Sequence, residues 1–416
     1  MTTEALAAEE RGFLPFLPTL LARVSEGLRG GEHGDRVAPH DSAIDLDLSE
    51  SVAVGSAFEV VPIPGKGHGC RATRDIRRGE RLIAESPLFE QGPGQPPLNT
   101  AVERLSAADR KRFFSLTQNE LRFGVIPSAR GIFATNAHPC HEFNLLHRGI
   151  FPTIARFNHA CDSNACYRWN SKLHQLTVHA AKAIPKGSEV TVCYSFDGML
   201  RSQRQRHLSE LFGFACGCAK CRLTGEELRV SDERLSAIGD VSAAVKELVH
   251  AGPYASEGSY LRSVAKADPQ SLLSRLDAKW RMLKQEFPPD GYVDGCECFL
   301  QLHVELCERA VRKLLKLIAS EEAKAAKTGE QSASSSTVDM LRCRAREYAD
   351  AALHWATISL DLTRDIKGED SPAFAAWASA LDEGVFDLDG GGTFDFYSRW
   401  VRAGLARQSY CHRELG

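Results

Sequence analysis

The sequence predicts an α+β protein whose two halves are built differently. Residues 55 to 200 hold short β-branched runs broken by glycine-containing turns, while helical spacing dominates after residue 225. Between the two lies FACGCAKC, where Cys216, Cys218 and Cys221 set three soft metal ligands within a few residues.

Each element has its own signal. Residues 1–50 read as an N-terminal extension, partly helical or disordered, in which GFLPFLPTLLARVSEGLR suggests a short amphipathic helix after Pro18. FEVVPIPGKGHG gives a strand running into a glycine-rich turn. DIRRGERLIAESPLF gives another after a turn at Arg77, Arg78 and Gly79. About residues 99–130 the spacing becomes helical, with Ser106 placed to cap a helix from Ala107. LHQLTVHAAKA and SEVTVCYSF return to strand around the turn IPKG, and a helix is expected from Leu200 to about Leu211. Residues 225–416 read as an irregular α-helical domain: FLQLHVELCERAVRKLLKLIAS repeats apolar residues at three and four. The Ser-rich stretch at about 320–338 is expected to be a mobile linker, and the helix after it to stop near Gly368 and Pro372.

Composition narrows the function classes. With 51 basic and 54 acidic residues the net charge is -3, so no global positive field draws nucleic acid, and no recognition-helix finger is present. No apolar run approaches the roughly 20 residues that span a bilayer. The start, MTTEALAAEERGF, carries acids where a signal peptide needs a basic region. A protein of the nucleus or cytoplasm is expected, in which 13 cysteines serve as buried thiols or metal ligands rather than disulfides.

Three thiols pose a counting problem, because structural zinc is usually four-coordinate. A redox C-x-x-C would need a strand-to-helix context that is absent here. Upstream, GIFPTIARFNHACDSNACYRWN offers Cys161 and Cys166 as further ligands. FNHACDSNA is followed by EVTVCY, then an Arg-rich helix, then FACGC. That ordered series resembles the SET-domain protein lysine methyltransferases. GKGHGCRATRDIRRGE resembles the family's opening glycine loop, and the resemblance covers roughly residues 55–222. Within the family the pattern is similar to the SMYD-like group and the fungal SET domain-containing protein 5-like group. It departs from them in lacking the MYND cysteine/histidine cluster, and in carrying Ala160 and Ser163 where Ser and Pro are usual.

The resemblance implies a SET-domain β-fold over residues 51–200 with its helical insert, a post-SET zinc segment over 201–224, and the α-helical C-terminal domain, which should wall one side of the substrate groove. It implies S-adenosyl-L-methionine as cofactor, approached by the loop Lys66, Gly67, His68 and Gly69, by Asn158 and His159, by Asn136 of FATNA, and by Phe214 stacked on adenine. Tyr194 is the implied catalytic residue, orienting the lysine nitrogen and the methyl group. Cys161 is the implied fourth ligand of a structural Zn2+ beside Cys216, Cys218 and Cys221, with Cys166 left to packing. The partner would be a protein substrate, a histone tail or a non-histone lysine, met by a monomer with no membrane and no sequence-specific nucleic acid. The rival reading is a catalytically inactive SET scaffold that binds partners through its helical domain. NAHPCHEF, with His138, Cys140 and His141, is expected to be a loop near cofactor or substrate, and RSQRQRH a solvated helix face.

Overall fold

The computed structural model describes residues 57–140, 146–195, 199–249, 269–287, 296–328 and 332–382. The expected extension over 1–50 and its amphipathic helix lie outside those residues. Among the described residues, strands are confined to the stretch before residue 193. β1 (Phe58–Ile63) turns through Gly65 and Gly67, both at positive φ (73° and 68°), into β2 (Gly67–Ala72). Glycine adopts that backbone without the Cβ clash other residues meet. β3 (Arg81–Glu85) and β4 (Glu90–Gln91) follow the turn at Gly79.

The insert is four short helices: α1 (Leu98–Glu103), α2 (Ala107–Phe114), α3 (Glu120–Phe123) and α4 (Ala129–Asn136). Ser106 caps α2 as expected, its hydroxyl accepting from Asp109 N at 3.0 Å. The helices pack their apolar faces around Phe113, Leu116, Ile132 and Phe133.

The chain then returns to strands: β5 (His138–Pro139), β6 (Arg148–Gly149), β7 (Asn158–His159), β8 (Ala165–Asn170), β9 (Gln175–Ala180) and β10 (Glu189–Val192). Three small sheets result, ordered β1-β2-β10-β7, β3-β9-β8 and β4-β6-β5. β7 runs parallel to β10, with Thr191 opposite Asn158 and Val192 opposite His159. A core of Phe58, Phe151, Phe157, Leu176, Val178 and Val190 joins the sheets.

α5 (Arg201–Phe212) leads into the cysteine segment, as its expected bounds required. The helical half comprises α6 (Gly225–Val249), α7 (Pro269–Glu286), α8 (Cys296–Thr328), α9 (Ser332–Lys367) and α10 (Pro372–Asp382). The mobile linker expected at about 320–338 is corrected by α8 and α9, whose described turns cover all of it except residues 329–331. Ala, Lys and Glu are strong helix formers, and Val338 and Ala345 bury against the bundle, so local polarity is outweighed.

The two halves share a core. Cys166 and Ala181 of the β region belong to the same buried cluster as Leu276, Leu300, Val304 and Trp355. Arg78 pairs with Asp365 at 2.6 Å and Arg81 with Asp370 at 2.6 Å, fastening the end of α9 to β3. α9 stops at Gly368, φ 84°, whose added Cβ would meet His179 Nε2 at 3.0 Å.

His179 on β9 is 1% exposed, and burial lowers its pKa to about 4, with Arg81 and Arg168 adding to the shift and Asp370 opposing it. The unfolded chain therefore binds this proton first, near pH 6.5, and stability is lost as pH falls from there toward 4. Urea unfolding at pH 5 should show about 2 kcal/mol less stability from this group than at pH 7.5. His179→Phe should flatten that part of the slope; an unchanged slope would refute the assignment.

Candidate active site and metal centre

The parallel pairing of β7 with β10 brings together two sequence motifs that lie about 30 residues apart. Asn158 and His159 form β7, and Tyr194 follows β10 directly. Tyr194 N donates to His159 Nδ1 at 2.9 Å, so His159 carries its proton on Nε2. The Tyr194 hydroxyl donates to Phe157 O at 2.6 Å. Burial, reinforced by Cys70 and Glu189, pushes the phenol well above its ordinary value, so it stays protonated at neutral pH.

The glycine loop reaches the same place. Asn158 Nδ2 donates to His68 O at 3.3 Å and to Glu189 Oε1 at 3.0 Å, while Lys66 Nζ pairs with Glu189 Oε2 at 2.6 Å. A Cβ on Gly69 would lie 2.4 Å from Asn158 Nδ2 and 2.7 Å from Ile63 Cγ1. Gly69→Ala must therefore displace Asn158. The expected cost is about 1–3 kcal/mol of stability, as for other overpacked sites. Denaturant unfolding reads it, and a variant as stable as the parent would contradict the contact.

Asn136 is less directly placed. Its amide nitrogen donates to Thr117 O at 2.7 Å and to Ile132 O at 2.8 Å, so a cofactor contact would fall to its oxygen.

The four expected metal ligands converge. The Sγ atoms of Cys161, Cys216, Cys218 and Cys221 all lie within 4.8 Å of one another, three of the residues buried and Cys218 half-buried. Hydrogen bonds with Cys161, Cys216 and Cys221 draw the Cys218 thiol far below its usual range, while those with Cys216, Cys218 and Cys221 push Cys161 up. Four thiols in one buried group cannot all ionise unless a cation sits between them, and a tetrathiolate set suits Zn2+ with no open position. Cys166 is elsewhere, its Sγ 3.7 Å from His179 O and from Ile366 O.

Residues 67–195 match the SET domain family model. This segment is a SET domain. The chain is similar to histone-lysine N-methyltransferase set5 of Schizosaccharomyces pombe, 29% identical over 225 residues, covering 53% of this chain and 68% of that protein. It is 35% identical over 97 residues to histone-lysine N-methyltransferase SET5 of Scheffersomyces stipitis, covering 23% of this chain and 20% of the relative. Human histone-lysine N-methyltransferase SMYD3 is 32% identical over 87 residues, again covering 20% of the relative. The chain thus spans two thirds of the first relative and about a fifth of the other two.

The region after the SET domain holds what sequence reasoning missed. RSQRQRH, expected as a solvated face, buries two of its seven side chains, and that expectation is corrected. Arg204 and His207 are each 5% exposed. Gln205 grips the cysteine segment with both amide atoms: Nε2 donates to Cys216 O at 2.7 Å and Oε1 accepts from Cys216 N at 2.9 Å. His207 Nε2 donates to Tyr194 O at 3.0 Å. Arg204 donates to Met199 O at 2.6 Å. Burial works against its guanidinium, but Cys161 and Cys221 more than offset this and raise its pKa. A four-residue apolar spacing for a face read as polar was the only sequence signal, supplied by Leu208 and Phe212.

Phe212 packs on Tyr194 with ring centroids 4.7 Å apart, closer than Phe214, whose ring lies 6.5 Å from Tyr194 and 6.1 Å from His159. Asn164, the last residue of N-H-x-C-x-x-N, clamps β10 from the side. Its Oδ1 accepts from Thr191 N at 2.8 Å and its Nδ2 donates to Glu189 O at 2.9 Å. Finally, His159 Nε2 lies 3.2 Å from Cys161 Sγ, so one imidazole bridges the tyrosine and the cysteine cluster.

Proposed function

We propose that this chain is an S-adenosylmethionine-dependent protein-lysine N-methyltransferase acting on a lysine of a histone or non-histone protein. The bridge from Tyr194 through His159 to Cys161 carries the reading, because it ties the reacting end of the SET domain to the metal segment. A sulfonium cofactor supplies an already activated methyl group, which leaves the protein to bind, align and exclude water.

The residues suit those tasks. Lys66, Gly67, His68 and Gly69 provide a loop that a cofactor backbone can approach, and Asn158 and His159 provide polar edges beside it. Phe214 presents a ring for adenine. Tyr194, held neutral and fixed at both ends by Phe157 O and His159, positions the target amine rather than removing its proton. The amine reaches its neutral form by desolvation against Phe212 and the neighbouring apolar wall. Cys161, Cys216, Cys218 and Cys221 would hold a structural Zn2+ that fixes Phe214. The nucleus and the cytoplasm both contain such substrates, and no described helix is long and apolar enough to cross a membrane.

Purified protein incubated with methyl-labelled cofactor, histones and cell extract should label a lysine. No label under any condition, with cofactor binding intact, would overturn the reading and favour the scaffold alternative.

A further inference from the structure

The helical half reaches the cysteine segment at one point. Lys220 stands inside C-x-x-C, between ligands Cys218 and Cys221, and its Nζ pairs with Glu286 Oε1 at 2.8 Å. Glu286 ends α7 and its side chain is 1% exposed. Ser231 Oγ of α6 donates to the same Oε1 at 2.5 Å, and Arg234 Nη1 donates to Oε2 at 3.1 Å. Lys220 also donates to the Glu286 carbonyl and lies over the Phe287 ring, 5.1 Å from its centroid.

A carboxylate this deeply buried is retained only with partners, and here it has three from two elements. Two of them keep a route to water: the Lys220 side chain is 17% exposed and that of Arg234 31%. The two-residue loop between Cys218 and Cys221 has no regular helix or sheet of its own beyond a 3-10 turn, Ala219–Arg222. Its position is therefore set by Gln205 on one side and by Glu286 on the other.

We infer that Glu286 is a positioning residue through which the C-terminal helical domain holds the metal segment, and with it Phe214, against the SET domain. The inference rests on the metal reading proposed above. It assigns the helical domain a part in cofactor binding independent of any contact with substrate.

Lys220→Met removes the anchor and a cation near the thiolates together, whereas Glu286→Leu removes the anchor alone and leaves both cations able to reach solvent. The full-length protein, loaded with Zn2+, is mixed with a chromogenic chelator to read the release rate, and S-adenosylhomocysteine affinity is measured by calorimetry. Both variants should release zinc about tenfold faster than the parent and bind the cofactor product about tenfold more weakly, the lower end of what outer-shell partners of metal ligands contribute. Lys220→Arg, which can still reach the carboxylate, should restore both, and the double variant of Lys220→Met with Glu286→Leu should be no worse than Lys220→Met. Circular dichroism at the assay temperature confirms that helix content is kept. Release from Glu286→Leu at the parent rate or slower, or fully additive effects in the double variant, would overturn the inference. A parent protein that takes up no zinc would instead overturn the metal reading, and this inference with it.

Discussion

Cys161→Ser is expected to lose zinc and cofactor binding in a single step. A structural tetrathiolate site contributes on the order of 10–16 kcal/mol of apparent binding energy, and three thiolates with a neutral hydroxyl hold far less. The loss spreads because Cys161 sits 3.2 Å from His159 Nε2 and 3.5 Å from Cys221 Sγ. With the ligand gone, the segment carrying Phe214 and Cys216 is no longer tied to β7, and His159 loses the partner that orients its ring. Metal content by atomic emission should fall from one ion per chain to near zero, and calorimetry should show cofactor affinity falling with it. Cys166→Ser provides the contrast. Its sulfur faces the β9 and α9 carbonyls, so the variant should keep its metal and its cofactor affinity while losing some stability at the interface between the halves. A Cys161→Ser protein that retains stoichiometric zinc would remove Cys161 from the ligand set.

Tyr194→Phe is expected to lower kcat about a hundredfold, the scale on which misplacement of a reacting group slows a positioned reaction, while cofactor affinity stays within about threefold. The hydroxyl contributes one hydrogen bond, to Phe157 O, and the ring keeps its contact with Phe212, so the fold should survive. Since the phenol is held protonated, the rate should show no ionisation of Tyr194 below pH 10. A Tyr194→Phe enzyme of parental kcat would assign the positioning to another group. The effect separates cleanly from that of Cys161→Ser, which acts first on binding.

Much of this was legible from the chain. β-Branched runs, glycine turns and the Ser106 cap all depend on neighbours within a few residues, and they appear where the sequence places them. The cysteine triplet and the N-H-x-C series are likewise short-range patterns: the triplet's spacing marked three candidate metal ligands, and the resemblance to the SET family supplied Cys161 as the candidate fourth. Errors arose where polarity was taken as exposure. Arg204 is held by the Met199 carbonyl and by the thiols of Cys161 and Cys221, and His207 by the Tyr194 carbonyl, and of these only Met199 is near in sequence. The described part of the supposed linker is helical because packing in the bundle outweighs the solubility of a Ser-rich segment.

The sequence by itself determined which chemistries are available: soft thiol ligands, a glycine loop free of Cβ atoms, an Asn-His pair and a strand ending in tyrosine. Only the tertiary structure decided how they act together. Parallel pairing of β7 with β10 sets Asn158 and His159 beside Tyr194, and chain closure brings Cys161 to a cluster 55 residues downstream. The same closure seats Lys220 on Glu286, 66 residues away. Such contacts depend on which surfaces fold together, and no local propensity encodes them. A one-dimensional reading therefore names the candidate ligands but not the roles of Gln205 and Glu286, which hold their segment, or of Asn164, which holds β10.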